Sequence, residues 1–262
     1  MNQREPTENH VAVARSFVDA RRSGAALSDY PGTAPETLAD AYLVQDAAIA
    51  LDGRQVVGWK VGRINPPREG ADRLVGPIFA DQVINRDGAT MPVIVDGFAA
   101  AEAEFLLRIG VAPEPIKFRY TIDEARALID AVHVGIEIAS SPYPGINADG
   151  PAVTISDFGN HNGLLVGAEA DGWRENDITG WRVELLIDGE AAGSATAAAM
   201  LDGPFGAARF LFEHAAARGV ALNAGQWISS GAVTGVHEVR VGQRVEARFD
   251  GRLAVTCEIE AQ

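Results

Sequence analysis

Cysteine is nearly absent from this sequence, since Cys257 is the single one in 262 residues. One cysteine forms no intrachain disulfide, which excludes the disulfide-stapled scaffolds of secreted proteins and any zinc cluster built from thiolates. The five histidines are scattered and form no HxxH or HExxH motif. A zinc hydrolase centre is therefore poorly supported as well.

Basic residues are also in deficit, with 22 lysines and arginines against 36 acidic residues, and the formal net charge is −14. Binding to nucleic acid or to an anionic membrane needs a basic face, so we expect neither partner. No stretch approaches the ~18 apolar residues of a membrane span, and charges occupy the N-terminal positions where a signal peptide is apolar. The sequence thus predicts a soluble, cytoplasmic protein that binds an anionic small molecule only where a local cation neutralises it.

Aromatic residues make up only 7% of the chain, whereas glycine is frequent, at 28 residues. This composition favours many turns, as in a strand-rich fold. Apolar residues at helical spacing predict two helices, over residues 11–23 and 34–50, within a small helical layer at residues 1–53. From there the pattern changes, and we predict a β-rich body at residues 54–262.

The β-rich body shows three Asp-Gly pairs that predict hairpin turns, at residues 87–88, 188–189 and 250–251. The clearest hairpin is RVEARFDGRLAVTCEI, in which apolar and charged residues alternate on both sides of the turn. Further strands and two more helices are predicted, the strands at residues 55–62, 102–109, 134–139, 152–156 and 163–167, the helices at 122–132 and 205–218. The fold class is α+β: a mostly antiparallel, strand-rich body with a helical layer at the N-terminus.

Three acidic residues lie in strands whose other residues are almost all apolar. Glu102 and Glu104 share one face of their strand because side chains alternate, and their Cα atoms are ~6.5–7 Å apart. Glu137 lies in the short apolar strand HVGIEIAS. Three carboxylates from two strands suit a hard divalent cation such as Mg²⁺ or Mn²⁺. The alternative is a solvated face for Glu102 and Glu104, with Glu137 paired to an arginine.

Lys60 is the second unusual residue, inside the apolar, glycine-flanked strand VVGWKVG. It either extends its ammonium group into solvent at a sheet edge or is held inside a pocket. Desolvation beside a bound metal would lower its pKa and make it a candidate base. Gly58 and Gly62 would let backbone amides approach an anionic ligand.

Two polar segments follow, each next to a strand. Both are consistent with turns whose side chains bond their own backbone, or with loops that bind substrate. The first, ISDFGNHNG, supplies Asp157, Asn160, His161 and Asn162; the second, WISSGAVTG, supplies Ser229, Ser230, Gly231 and Thr234, where a turn could bind a carboxylate.

These segments occur in an order and spacing that resemble a known family. The matching pieces are GWKVG at 58–62, AEAEFLLRIG at 101–110, GIEIASS at 135–141, SDFGNHNGLLVG at 156–167 and the block at 202–235. Together they resemble the fumarylacetoacetate hydrolase superfamily, specifically its 2-keto-4-pentenoate hydratase and 4-oxalocrotonate decarboxylase branch. The resemblance covers nearly the whole chain. It implies a β-rich fold with a metal held by three carboxylates, which correspond to Glu102, Glu104 and Glu137. The family's early lysine corresponds to Lys60.

The sequence departs from the family pattern at three places. Leu74 stands where the branch usually has an aspartate, Asn160 replaces a serine with His161 beside it, and the late Gly-Ser or Gly-Thr pair reads Gly231-Ala232. The usual acid/base partner is therefore missing. His161 or Asp157 is a candidate substitute.

The family resemblance implies a substrate that is a 2-oxo or 2-hydroxydienoate acid, chelated to the metal and converted through an enolate. We expect a hydratase-like lyase first, a 2-oxo acid decarboxylase second and an acylpyruvate C–C hydrolase third. A non-catalytic partner subunit is the remaining alternative. The resemblance also implies a homo-oligomer.

Overall fold

Two helices open the part of the chain that the computed structural model describes, residues 5–262. Helix α1 (Glu8–Ser23) and helix α2 (Leu38–Asp52) each begin after a threonine whose side chain accepts a hydrogen bond from a backbone amide of the first turn, and each ends at a glycine in the left-handed conformation. Both predicted helices are confirmed, with bounds shifted by a few residues. The first four residues of the predicted layer lie outside the described residues. Within residues 5–262, no helix has both the length and the hydropathy that a membrane crossing requires.

Strands dominate the chain after α2. The described residues contain β1 (Val56–Arg68), β2 (Ala71–Phe79), β3 (Val83–Ile84), β4 (Ala89–Val93), β5 (Phe98–Ile109), β6 (Ile129–Ser141), β7 (His161–Glu169), β8 (Arg182–Ile187), β9 (Glu190–Thr196), β10 (Trp227–Ser229), β11 (His237–Glu238), β12 (Arg244–Phe249) and β13 (Leu253–Ala261). The other helices are α3 (Ile122–Ala127), α4 (Pro151–Ser156) and α5 (Gly203–Arg218).

The strands form two sheets. The larger sheet has the order β2-β1-β10-β5-β6-β7-β3, with β11 also paired to β5, and the smaller has the order β4-β13-β12-β8-β9. Most neighbours are antiparallel; β1 with β10, β3 with β7 and β4 with β13 are parallel. The predicted α+β class with a mostly antiparallel body is confirmed.

The two sheets pack face to face through aromatic side chains. The ring of Phe105, on β5, lies 5.4 Å from that of Phe249 and 6.1 Å from that of Trp181, both contributed by the region of the smaller sheet. Phe105 and its alternate neighbours on β5 belong to the main core between the sheets. Since side chains alternate along a strand, Glu102 and Glu104 point to the opposite face of the larger sheet.

One predicted element is wrong in type and another in length. The segment predicted as a strand at residues 152–156 is helix α4, whose first residue is Pro151, a favoured first position of a helix. The helix predicted over residues 122–132 ends at Ala127, because β6 begins at Ile129 and pairs along almost its whole length with β5.

The predicted hairpin at residues 87–88 is also wrong. A turn is present, but the strands on its two sides lie in different sheets, since β3 pairs with β7 and β4 with β13. The hairpins at residues 188–189 and 250–251 are confirmed as β8–β9 and β12–β13.

Candidate metal centre

Strand register brings the three predicted acids together. Glu102 on β5 lies directly opposite Glu137 on β6, and Glu104 lies two residues further along β5 on the same face. One carboxylate oxygen from each residue lies within 4.8 Å of the others. Glu104 and Glu137 are fully buried and Glu102 is 5% exposed, so the solvated-face alternative is wrong.

The hydrogen-bond donors around the three carboxylates leave one carboxylate oxygen without a partner. Ser229 Oγ and the amide of Gly231 donate to Glu104 Oε2, at 2.5 and 2.9 Å. The other oxygen, Glu104 Oε1, is buried and has no hydrogen-bond partner among the described residues. A buried carboxylate oxygen without a donor is costly, and a hard divalent cation would satisfy it. The residues present therefore fit a magnesium-like ion.

Burial also shifts the acid equilibria of this cluster. Desolvation raises the pKa of Glu102 to about 7 and, together with repulsion by the other two carboxylates, raises the pKa of Glu104 well above its ordinary value. Burial alone would also raise the pKa of Glu137, but Lys60 and His161 hold it below its ordinary value. Without an ion, the cluster thus retains protons that a divalent cation would displace.

Lys60 is buried beside this cluster, with an exposed fraction of 4%. Its Nζ donates to Asn160 Oδ1 at 3.1 Å and lies 3.3 Å from Glu137 Oε1, so the sheet-edge alternative is wrong. Burial alone would lower the pKa of Lys60, but the three carboxylates outweigh it and raise the pKa. Without an ion, Lys60 is therefore an ammonium ion, a proton donor; the lowered pKa predicted from the sequence refers to the metal-bound cluster and stays a prediction.

His161 lies behind Glu137 and not on the cavity wall. Its Nδ1 is 2.9 Å from Glu137 Oε1, and its buried Nε2 has no partner in the described part of the chain. Burial lowers the pKa of His161, so the ring is neutral and its Nδ1–H donates to the carboxylate. His161, predicted as a catalytic residue, thus does not face the cavity and instead holds the carboxylate of Glu137.

Asp157 and Gly58 were predicted to bind substrate, and neither lines the cavity. The carboxylate of Asp157 is held by the buried guanidinium of Arg21 through two hydrogen bonds, of 2.5 and 2.9 Å. At Gly58 a Cβ atom would lie 2.6 Å from the carbonyl oxygen of Trp227. Gly58 therefore permits close pairing of β1 with β10, and Asp157 fixes helix α1 to the loop before β7.

A left-handed turn presents Asn160 to Lys60. Phe158, Gly159 and Asn160 have φ values of 54°, 61° and 59°, a conformation that is uncommon for a bulky residue and marks a constrained site. The turn packs on Gly76 of β2, where a Cβ atom would lie 2.0 Å from the carbonyl oxygen of Phe158. The backbone thus fixes the amide of Asn160 against the lysine.

A cavity of about 1020 Å³ opens onto this cluster. Of the predicted site residues, Lys60, Gly62, Glu102, Asn160, Ser230 and Gly231 line it. Ser230 Oγ is buried there with no hydrogen-bond partner among the described residues, so it is free to donate to a bound ligand. Leu74 also lines the cavity, at the position of the missing acid.

Sequence reasoning missed two kinds of cavity residue. Asn147 accepts a hydrogen bond from Asn160 Nδ2 at 2.9 Å, and it lies in a loop without a readable period. Arg63 and Arg73 line the cavity from β1 and β2. The only signal for Arg63 in the sequence is its place immediately after GWKVG.

No protein-family model matches this chain. A 4-oxalocrotonate decarboxylase of Pseudomonas sp is 27% identical over 256 residues, which cover 95% of this chain and 93% of that protein. A 2-keto-4-pentenoate hydratase of Burkholderia vietnamiensis is 27% identical over 258 residues, covering 93% and 95%. The family resemblance predicted from the motifs is thus confirmed over nearly the whole chain.

Solved structures show the same fold. The 4-oxalocrotonate decarboxylase from Pseudomonas putida G7, complexed with magnesium and adipate, matches with a TM-score of 0.81 at 22% identity over 98% of this chain and 100% of that one. A fumarylpyruvate hydrolase from Pseudomonas aeruginosa, in complex with Mn²⁺ and pyruvate, matches with a TM-score of 0.57 at 15% identity, covering 78% and 89%. The chain therefore has the fold of the fumarylacetoacetate hydrolase superfamily, and these two neighbours bind divalent metals.

Proposed function

We propose that this chain is a divalent-metal-dependent lyase that acts on 2-oxo or 2-hydroxydienoate acids. The observation that carries the proposal is the convergence of three buried carboxylates, one with an oxygen that lacks a donor, beside a buried lysine at the end of a cavity. Relatives with enzyme names over nearly the full length of the chain support a catalytic protein over a partner subunit.

Glu102, Glu104 and Glu137 would hold the ion, Mg²⁺ or Mn²⁺. When bound, the ion supplies a Lewis acid that stabilises the negative charge developing on the 2-oxygen of an enolate. Ser229 and the amide of Gly231 fix the carboxylate of Glu104 through the bonds described above. Because both donors bind Oε2, the other oxygen of Glu104 would be available to the ion.

Lys60 moves the proton. Its ammonium group faces the carboxylate cluster on one side and the cavity on the other, which suits a group that delivers a proton to the conjugated carbon chain of the substrate. Asn160 orients the lysine by accepting one of its hydrogens. Ser230 Oγ, buried and unpartnered in the described structure, offers a hydroxyl to the substrate carboxylate.

Hydration is the reaction that the sequence favours. The dienol is first converted to its 2-oxo tautomer, and water then adds across the distal double bond to give a 4-hydroxy-2-oxo acid. Both steps transfer protons, so they need positioned acid/base groups. Apart from three arginines and Glu102, which would hold the ion, Lys60 is the ionisable side chain among the described residues of the cavity wall, so it would carry these transfers.

Decarboxylation of a 2-oxo diacid is the second candidate, and the position of Leu74 favours it. The bond to the far carboxylate breaks, its electron pair passes through the conjugated double bond to the 2-oxygen, and CO₂ leaves. This step requires a stabilised 2-oxygen to accept the electron pair but no activated water. An apolar Leu74 on the cavity wall is therefore compatible with it. The first relative named above is a decarboxylase.

The test is a double substitution, Glu102→Gln with Glu104→Gln, which removes two charges and keeps the side-chain shapes. We expect calorimetric Mg²⁺ binding and turnover of 2-hydroxypenta-2,4-dienoate or 4-oxalocrotonate to disappear together. The matched control is Glu258→Gln with Glu260→Gln, two exposed glutamates with the same spacing on β13. Retained turnover in the Glu102/Glu104 variant would refute the proposal, and CO₂ release against water incorporation separates the two reactions.

A further inference from the structure

A short chain of hydrogen bonds leads from Lys60 away from the metal cluster to a surface loop. Lys60 Nζ donates to Asn160 Oδ1 at 3.1 Å, and Asn160 Nδ2 in turn donates to Asn147 Oδ1 at 2.9 Å. Asn160 is buried, whereas Asn147 is exposed and lines the cavity. Of these three residues, Asn147 is the one without a role in the proposed reaction.

The chemistry of the three groups fixes the direction of this chain. An ammonium group only donates, and a side-chain amide has an acceptor at one end and a donor at the other. Asn160 must therefore turn its oxygen toward Lys60, and its NH₂ group then needs an acceptor of its own. A buried donor without a partner costs free energy. Within the described part of the chain, Asn147 Oδ1 is the acceptor that receives this hydrogen bond.

The loop that carries Asn147, between β6 and α4, is fixed at several points. The side chain of the preceding residue, Ile146, is fully buried. The carbonyl oxygen of Ile146 accepts a hydrogen bond from Thr154 Oγ1 at 2.8 Å, and Tyr143 Oη donates to Asp149 Oδ2 at 2.5 Å across the loop. An acceptor on a loop held in this way keeps the amide of its partner in one place.

The Asn160 amide matters because Lys60 has another partner that pulls it toward the metal cluster. Lys60 Nζ lies 3.3 Å from Glu137 Oε1 and 3.1 Å from Asn160 Oδ1. These two contacts direct two of its three hydrogens and leave the third for the cavity, which Lys60 lines. With the amide of Asn160 displaced, Glu137 would be the remaining partner among the described residues, and the ammonium group would turn from the cavity toward the carboxylates.

We propose that Asn147 is a positioning residue for Lys60, acting through the amide of Asn160. This inference rests on the proposed function, because it requires Lys60 to move a proton to or from the substrate. Proton transfer needs the reacting atoms within hydrogen-bond reach and in line, so a small displacement of the lysine slows the chemical step. Asn147 should therefore affect kcat more than KM.

The first experiment compares two substitutions of Asn147 at saturating Mg²⁺, with whichever of 2-hydroxypenta-2,4-dienoate and 4-oxalocrotonate is turned over. Asn147→Leu has a similar shape but no acceptor; it should lower kcat about tenfold, the scale of one hydrogen bond, and change KM by less than about twofold. Asn147→Asp keeps the acceptor and should keep kcat within about twofold, while its negative charge raises KM for an anionic substrate. The matched control is Asn223→Leu, at an exposed asparagine outside the cavity wall, which should leave both constants unchanged.

The second experiment measures the contact between the two asparagines without any turnover. Asn147→Leu should lower the denaturant concentration at the unfolding midpoint in the wild type, and should lower it clearly less in Asn160→Ala, where no amide is left to hold. Equal shifts in the two backgrounds would overturn the proposal. So would a wild-type kcat in Asn147→Leu, or a loss of kcat in Asn147→Asp as large as in Asn147→Leu.

Failure of the wild type to turn over either acid has a different meaning. If the unfolding experiment still shows that Asn147 and Asn160 are coupled, the hydrogen-bonded pair exists but serves no such reaction. That result would overturn the proposed function, and with it the role of Asn147 in proton transfer.

Discussion

At the scale of single residues, the candidate site depends on side chains that orient other side chains through hydrogen bonds. His161 contacts only one of the three carboxylates, through Nδ1 and Glu137 Oε1. A neutral imidazole that donates to this carboxylate fixes its orientation and would leave its remaining lone pairs for the proposed ion. Loss of such an outer partner typically weakens metal binding by ~10–100-fold.

We therefore expect His161→Ala to weaken Mg²⁺ binding by ~10–100-fold, measured by calorimetry on the purified protein. His161→Asn, whose amide also offers a donor, should recover part of the affinity. His133→Gln is the control, since His133 lies on β6 with Glu137 but bonds the carbonyl oxygen of Gly167. An unchanged Mg²⁺ affinity in His161→Ala would show that Glu137 needs no orienting donor.

The sequence revealed those site residues that break a local pattern. Glu102, Glu104, Glu137 and Lys60 are charges inside apolar strands, and such charges are either exposed or functional. The role of Asp157 could not be predicted in the same way, because its partner Arg21 is 136 residues away along the chain. Pairings at such separations follow from the tertiary fold, and no local pattern encodes them.

At the scale of elements, the turn before β7 packs on β2 and thereby positions Asn160 against Lys60. Three successive left-handed residues place the amide of Asn160 on Lys60, and Gly76 on β2 leaves the space that the turn occupies. The strain of this backbone persists only while the contact with β2 holds it. A side chain at residue 76 would collide with backbone, which cannot move aside as a flexible side chain can.

Gly76→Ala should therefore destabilise the protein by about 1–3 kcal/mol, as overpacking does, and should also lower turnover by displacing Asn160 from Lys60. Chemical unfolding and steady-state kinetics measure the two effects. Gly180→Ala is the control, because a Cβ atom there meets nothing within 4 Å. Full activity in Gly76→Ala would mean that the position of Asn160 does not matter to the lysine.

Helix α4 shows why one element was predicted wrongly. Its residues Val153, Thr154 and Ile155 favour strands in isolation. In the fold, the side chain of Gln45 on α2 donates to the carbonyl oxygen of Ile155, and Thr154 Oγ1 donates to that of Ile146. These tertiary contacts outweigh the intrinsic preference of a six-residue segment, and Pro151 was the one local signal of the helix start.

At the scale of the whole molecule, the site exists only in the assembled larger sheet. Apart from Asn160, Ser230 and Gly231 in the adjoining loops, its residues come from β1, β5, β6 and β10, which are neighbours in that sheet; β1, β5 and β10 are far apart along the chain. Hairpins such as β12–β13 could be read from sequence because their pairing is local. The parallel contact of β1 with β10, which brings Lys60 level with Ser229, joins residues that no short-range signal connects.

Burial of three carboxylates in one cluster should make the stability of the whole protein depend on metal and pH together. Without an ion, burial raises the pKa of Glu102 to about 7, above the ordinary 4.5, and also raises the pKa of Glu104 well above its ordinary value. A raised carboxyl pKa contributes stability that is fully present below the unfolded pKa and is lost as pH rises through the folded one. His161 and His214, whose pKa values are lowered from 6.5, change stability only below that value.

Between pH ~6.5 and ~8.5 we therefore expect the EDTA-treated protein to become less stable as pH rises. The free energy of unfolding should fall by up to ~1.4 kcal/mol per pH unit for each proton released, and the melting temperature should fall with it. Saturating Mg²⁺ should oppose this fall, because the ion binds the ionised carboxylates, so the stabilisation by Mg²⁺ grows with pH. Thermal scans with EDTA or Mg²⁺ measure the difference. For the Glu102→Gln/Glu104→Gln variant, the melting temperature should not vary with pH over this range and should be the same with EDTA as with Mg²⁺. If the stabilisation of the wild type by Mg²⁺ stays constant across this range, the three carboxylates are not the groups that bind the ion.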